Sequence, residues 1–131
     1  MPSAEDNRGF SQKERIKSSL AILSIVKDGS SVNSYPIKCF YRRVSRGEVA
    51  VQLAVVVSKR RFKHAVDRNR VKRLMREAYR LQKQCFDLEQ ESTLQMCWLY
   101  VGRELPTFEQ MRKAVGHLAK KMSASQEQPD K

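Results

Sequence analysis

The chain has 131 residues, with 26 Lys and Arg against 14 Asp and Glu, a net charge of +12 and 40% hydrophobic residues. That is one domain's length, with enough apolar residues for one modest core. Five Gly and four Pro exclude collagen-like and low-complexity classes. No apolar run, Leu53–Val57 included, approaches the ~20 residues of a membrane-spanning helix.

In chain order, residues 1–9 and 123–131 are polar and are expected to fray as tails around a single domain over residues 10–122. The opening MPSAEDNRGF has early acids and no apolar stretch, so no secretory signal is expected. Ser11-Gln12-Lys13-Glu14 fits a capping box, and Ile16, Leu20 and Leu23 follow at helical spacing, widened by Ile22, Ile25 and Val26. Lys27-Asp28-Gly29 closes the pattern, with Gly29 suited to a left-handed cap. The spacing predicts a first helix over 12–28.

Residues 32–44 alternate, with Tyr35, Ile37, Cys39 and Tyr41 on one face and Lys38, Phe40 and Arg42 on the other. Pro36 implies that this strand is an edge or starts there. After a turn-like Ser45–Glu48, the residues Val49, Val51, Leu53, Val55 and Val57 form an apolar face. Ala50, Gln52, Ala54, Val56 and Ser58 oppose it, which suits a central strand with one face less completely covered. Asp67 is placed to cap a helix running to about Gln84. Residues 93–101 read as a strand whose Trp98 and Tyr100 pack under a helix. Thr107-Phe108-Glu109-Gln110 is a second capping box, followed by Met111, Val115, Leu118 and Met122 at helical spacing. The order α-β-β-α-β-α, with room for a short extra strand near 31–33, predicts a small α+β sandwich, αβ(β)βαβα.

Charge is concentrated. Residues 59–83 hold 11 Lys and Arg and two acids, whereas the other 106 residues hold 15 and 12. A cluster this dense calls for a polyanion, either nucleic acid or an anionic membrane surface. At 100° per residue from Val71, the positions Leu74, Met75, Ala78 and Leu81 lie within about 80° and form the buried stripe. Asn69, Lys72, Arg73, Arg76, Arg80 and Lys83 fill an arc from about 100° to about 200°, flanked by Arg68 and Arg70. Only Glu77 interrupts that arc, whereas a merely solvated helix interleaves acids for i,i+4 support. Guanidinium forks bind phosphate bidentately, and Asn69 adds a neutral donor and acceptor. Because the apolar side of the helix is needed for the core, a nucleic acid is the expected partner, with no membrane. A bZIP-like basic region would need heptads that Cys85–Gln95 lacks.

No chemistry of the protein's own is visible. The acids are scattered, Glu89-Gln90-Glu91 reads as a polar loop, and His64 and His117 are far apart. Cys39, Cys85 and Cys97 are odd in number and form no CxxC pair, which argues against zinc and for reduced thiols. No catalytic residue is assigned, and metal binding by the protein is left undetermined.

The segment SKRRFKHAVDRNRVKRLMREAYR resembles the signature of the bacterial ribonuclease P protein subunit. Its core is Arg68-Asn69-Arg70, Lys72-Arg73 and Arg76-Glu77, in one helix after a Val-rich strand ending Ser58-Lys59. The opening from Phe10 to Ile16 and the element order match as well. The resemblance implies the fold of the second domain of ribosomal protein S5, with a left-handed βαβ crossover.

It further implies a cytoplasmic ribonucleoprotein of one protein and one catalytic RNA. That holoenzyme is an endoribonuclease, a hydrolase removing the 5′ leader of precursor tRNA, with the hydrolysis and the Mg²⁺ in the RNA. Carried over, Arg68, Asn69, Arg70, Lys72, Arg73, Arg76 and Arg80 contact the RNA subunit. Lys59, Arg60, Arg61, Lys63 and His64 form a basic RNA-binding loop. A leader cleft is expected from Ile22, Val26, Tyr35, Phe40, Ala50, Gln52, Ala54 and Val56. Many family members carry aromatics near the positions of Ile22 and Val26; Tyr35, Phe40 and Tyr41 are the candidates to replace them. Some also have Gly where this chain has Lys63. The alternative is a ribosomal or ribosome-assembly RNA binder, which the same fold permits.

Overall fold

A computed structural model describes residues 12–86 and 91–126. It contains three helices, α1 (Ser19–Asp28), α2 (Ala65–Gln82) and α3 (Phe108–Gln126). Four strands, β1 (Ser30–Ser34), β2 (Ile37–Ser45), β3 (Val51–Val56) and β4 (Ser92–Tyr100), make one sheet in the order β1-β2-β4-β3. β1 is the extra strand that the sequence left room for. The pairs β1/β2 and β2/β4 are antiparallel, while β3 runs parallel to β4, which requires the crossover that α2 supplies.

Alternation sorts the strand residues onto two faces. One row runs Cys39, Trp98, Val55 and the next Tyr41, Met96, Leu53. These residues join Val71, Met75, Ala78 and Tyr79 of α2 and Met111, Val115, Leu118 and Met122 of α3 in the main core. Trp98 sits at its centre, with the rings of Tyr79 at 5.8 Å and Phe86 at 5.7 Å. On the opposite face the rows run Phe40, Cys97, Ala54 and Arg42, Gln95, Gln52, and this side receives the shorter α1 through Ile25.

Several expectations are corrected. The first helix begins at Ser19, because Ser18 caps it by accepting from the Ala21 amide at 3.2 Å. Upstream, the Ile16 amide donates to the Leu53 carbonyl at 3.0 Å, and Arg15 bridges to Leu53 in parallel fashion. β3 is therefore an edge strand rather than a central one. Its outer backbone groups need partners, and after one 3-10 turn at Gln12–Glu14 the chain extends through Arg15 and Ile16 to take them. Ser11, the first residue of the expected capping box, lies outside the described residues. Gly29 is not left-handed, with φ −87. Glycine is required there because a methyl group would fall on the carbonyl oxygens of Tyr41 and Ile25. β2 is interior, and of the two readings of Pro36 the second holds, since the strand starts directly after it at Ile37.

α2 starts after His64, so Asp67 lies in its first turn and does not cap it. Its buried stripe is rotated toward Tyr79, which leaves Leu81 49% exposed. The second capping box forms as expected: Gln110 N donates to Thr107 Oγ1 at 3.1 Å, and Thr107 N to Gln110 Oε1 at 2.9 Å. α3 then continues to Gln126, beyond the tail expected from residue 123. Residues 1–9, Glu89-Gln90 and 127–131 lie outside the described residues.

Candidate nucleic-acid interface

The basic face of α2 is held in place by its apolar one. Val71, Met75, Ala78 and Tyr79 are buried, which turns Asn69, Arg70 and Arg73 outward as exposed side chains and leaves Lys72 half-buried beside them. Among the described residues, no acid forms an ion pair with Arg70, Lys72 or Arg73. Arg76 is half-buried; burial first, and the neighbouring charge of Arg15 second, hold its guanidinium below the ordinary arginine range. It is still charged at neutral pH, since arginine starts far above it. The charge of the strand-like segment on β3 thus acts on the same side of α2 as Arg76.

Other members of the expected set are engaged internally. Arg80 forms a two-pronged pair with Glu77 three residues earlier. That contact lowers the Glu77 carboxyl and raises the Arg80 guanidinium. Lys83 pairs with Glu14 at 3.0 Å, tying the end of α2 to the N-terminal segment. Arg68 Nη1 donates to the carbonyls of Phe62 and Lys63, both at 2.9 Å. At −300° from Val71 it falls at about 60°, on the inner flank of the helix, so it braces the loop before α2.

That loop fans its charges around one anchored ring. Phe62 is buried, 5.9 Å from Tyr100, and its amide donates to Ser58 O at 3.3 Å. Lys59, Arg60, Arg61, Lys63 and His64 are all exposed around it. Arg60 and Arg61 share a depression of about 540 Å³ with Arg103 from the β4–α3 loop.

Of the residues expected in the leader cleft, Phe40, Gln52, Ala54 and Val56 share the sheet face opposite the main core. Ile22 is half-buried on α1, and Val26 is exposed. Two expected members go elsewhere. Ala50 precedes β3 and packs against the main core, its carbonyl accepting from Leu94 N at 2.8 Å. Tyr35 sits in the β1–β2 turn and lines a cleft against α3. Of the three aromatic candidates, the register therefore puts Phe40 on this face, and Lys38 lies 5.5 Å from its ring.

The sheet also adds residues that the sequence reading missed. A polar ladder crosses the face. Arg42 Nη1 donates to Ser24 Oγ of α1 at 2.7 Å, and Arg42 Nε to Gln95 Oε1 at 2.9 Å. Gln95 Nε2 then donates to Gln52 Oε1 at 2.9 Å, and Gln52 Nε2 to Lys13 O at 3.2 Å. Alternation marked Arg42 and Gln52 as same-face residues, but only the pairing of β4 between β2 and β3 reveals Gln95 as their link. Arg15 and Arg103 were missed for the same reason, since their neighbours are distant in sequence.

Cys39 and Cys97 are buried and Cys85 is exposed. Burial raises both inner thiols, Cys97 to about 11. Among the described residues, no group of three His, Cys, Asp or Glu is placed to hold a metal ion, and no helix is long and apolar enough to cross a membrane.

Comparison with known proteins places this geometry. The family model described as Ribonuclease P matches residues 10–123. The ribonuclease P protein component of Porphyromonas gingivalis is 39% identical over 111 residues, covering 82% of this chain and 81% of that protein. Its counterpart in Chlorobium phaeobacteroides is 36% identical over 119 residues, covering 80% and 82%. The solved RNase P protein of Thermotoga maritima shares the fold, with a TM-score of 0.66 at 23% identity, over 82% of this chain and 96% of that one.

Proposed function

This chain belongs to the ribonuclease P protein family, whose role is tRNA 5′-end processing, and we propose that its two faces divide the work of the holoenzyme. It partners the ribonuclease P RNA. The arc of α2 grips that RNA, through Asn69, Arg70, Lys72, Arg73 and Arg76 with Arg15 beside them, while the basic loop extends the grip. The open sheet face, from Phe40 through Ala54 and Val56 to the Gln52–Gln95–Arg42 ladder, receives the 5′ leader of precursor tRNA. The observation that carries this reading is on α2: Arg70, Lys72 and Arg73 form no ion pair with an acid among the described residues, while the inner side of the helix is locked into the core.

The hydrolysis is assigned to the RNA subunit. Guanidinium and ammonium groups neutralise phosphate, but an arginine offers no general base. The cationic donors of this surface do not fit Mg²⁺ either, so the ion is assigned to the RNA and no step is routed through these side chains. The protein's share is electrostatic and positional: it screens phosphates that would repel one another and keeps a single strand in register. The assembly is read as a cytoplasmic complex of one protein with one RNA.

Reconstitution tests this. The purified protein is mixed at low Mg²⁺ with the ribonuclease P RNA of its own organism and 5′-labelled precursor tRNA. Protein-dependent cleavage at the mature 5′ end is expected; the absence of any stimulation overturns the reading.

A further inference from the structure

The cleft that takes Tyr35 away from the sheet face has a construction of its own. It lies between the β1–β2 turn, the β4–α3 loop and the outer side of α3, with a volume of about 620 Å³. That is within the range of about 300–1,000 Å³ typical of small-ligand sites. Its floor is fixed. Tyr100 is buried, and its hydroxyl donates to the Glu104 carbonyl at 2.7 Å. Gly102 is needed behind it, because a Cβ there would lie 2.6 Å from that hydroxyl and 3.0 Å from Pro36 Cβ. Its mouth is apolar and unusually open: Tyr35 is 74% exposed and Leu105 43% exposed. Its rim is cationic, with Arg103 and Lys113, and His117 one turn beyond on α3. Among the described residues, neither Arg103 nor Lys113 forms an ion pair. Arg103 and Tyr100 also line the neighbouring depression that holds Arg60 and Arg61. One run of positive charge thus passes from the basic loop, over Arg103, to the exposed tyrosine ring.

An exposed aromatic ring beside a backbone-tracking line of cations is how proteins hold single-stranded nucleic acid without reading its sequence. We propose that this cleft binds one nucleotide of a single-stranded RNA segment, with its base stacked on Tyr35, its flanking phosphates on Arg103 and Lys113, and the strand continuing toward Arg60 and Arg61. Glu104, on the same wall, offers an acceptor to an exocyclic amine of that base. The site is separate from the leader face, because Tyr100 points into the main core while Phe40 and Ala54 point away from it. The identity of the ligand as RNA rests on the function proposed above; the aromatic and cationic chemistry of the cleft does not.

The test uses the full-length protein and a single-stranded RNA probe of about twelve nucleotides, within the site sizes usual for such surfaces, carrying 5-iodouridine for photocrosslinking. Crosslinks are expected on Tyr35. Tyr35→Ala should weaken probe binding by about 5- to 100-fold, the range of one lost stacking contact, while Tyr35→Trp restores it. Lys113→Gln should flatten the salt dependence by about one phosphate. Because Tyr35 is largely outside the packed structure, these variants are expected to keep the wild-type circular dichroism spectrum. Wild-type affinity in Tyr35→Ala, together with crosslinks confined to α2 and the sheet face, overturns the proposal. The same variants in the reconstituted cleavage assay separate the two readings. Protein-dependent cleavage with an empty cleft removes this site alone, whereas no protein-dependent cleavage by the wild type removes the function it rests on.

Discussion

The two faces of the sheet are built from alternate residues of the same strands, yet they carry opposite chemistry. On the core side, Met96, Trp98 and Tyr100 meet two helices of 18 and 19 residues and are almost wholly dry. On the other side, which carries Gln95, Cys97 and Leu99, the one helix among the described residues is α1, with 10 residues. One short helix does not cover four strands. Its Ile25 is buried along with Cys97 and Ala54 of the sheet, but Phe40, Val56 and Leu99 stay half-exposed, and a row of amides and one guanidinium crosses the sheet. Those polar groups bond one another, so the face is stable without a ligand and still presents donors and an aromatic ring to one. This partly uncovered surface is the one proposed above to receive the leader.

Substitutions separate the two faces. The largest effect is expected in the core: Trp98→Ala should cost about 3–5 kcal/mol in urea unfolding and abolish both RNA binding and cleavage together. On the open face, Ala54→Phe should cost less, about 1–3 kcal/mol, by pressing α1 outward. Its effect on substrate should be selective, with leader-bearing precursor weakened more than mature tRNA; equal weakening of both would remove Ala54 from the leader path.

The pH dependence reports burial on both faces. Cys97 is raised from 9.0 to about 11 by burial, so the folded state holds that proton more tightly than the unfolded one. This contribution is complete below pH 9 and is lost as pH rises through about 11. Burial pushes Tyr100 in the same direction, to about 12. The melting temperature should therefore fall through this alkaline window, and less steeply in Cys97→Ala than in the wild type. Alkylation of the native protein should modify Cys85 alone.

The smallest effect on stability is expected on α2. Arg73→Ala should leave unfolding within about 0.5 kcal/mol of wild type. It should nevertheless reduce the slope of log binding against log salt for ribonuclease P RNA by about 0.7–0.9. An unchanged slope would take Arg73 out of the interface.

Much of this was legible before any coordinates. The α2 stripe, the second capping box, the Val-rich strand and the basic arc are local patterns, written at periods of 3.6 and 2, and they depend only on neighbours a few residues away. The ribonuclease P signature is of that kind too, since it lies within one strand, one loop and one helix. What remained hidden depends on which distant segments become neighbours. β3 looked central because one face is wholly apolar and the other small and mixed; it is an edge, and the segment through Arg15 and Ile16 pairs with it. Arg68 and Arg80 looked free because charge says nothing about its partner; one braces the Phe62 loop and the other neutralises Glu77. Alternation put Tyr35 and Phe40 on opposite faces and left both as candidates for the leader cleft; the strand order made the face of Phe40 the open one, while Tyr35 lies in the β1–β2 turn against α3. By itself, then, the sequence determined the elements, the core stripes and the positive helix, because periodicity and charge density are properties of short windows. Only the tertiary structure decided which cations stand free, which face lies open and which ring faces it, because those depend on strand order and pairing across long stretches of chain.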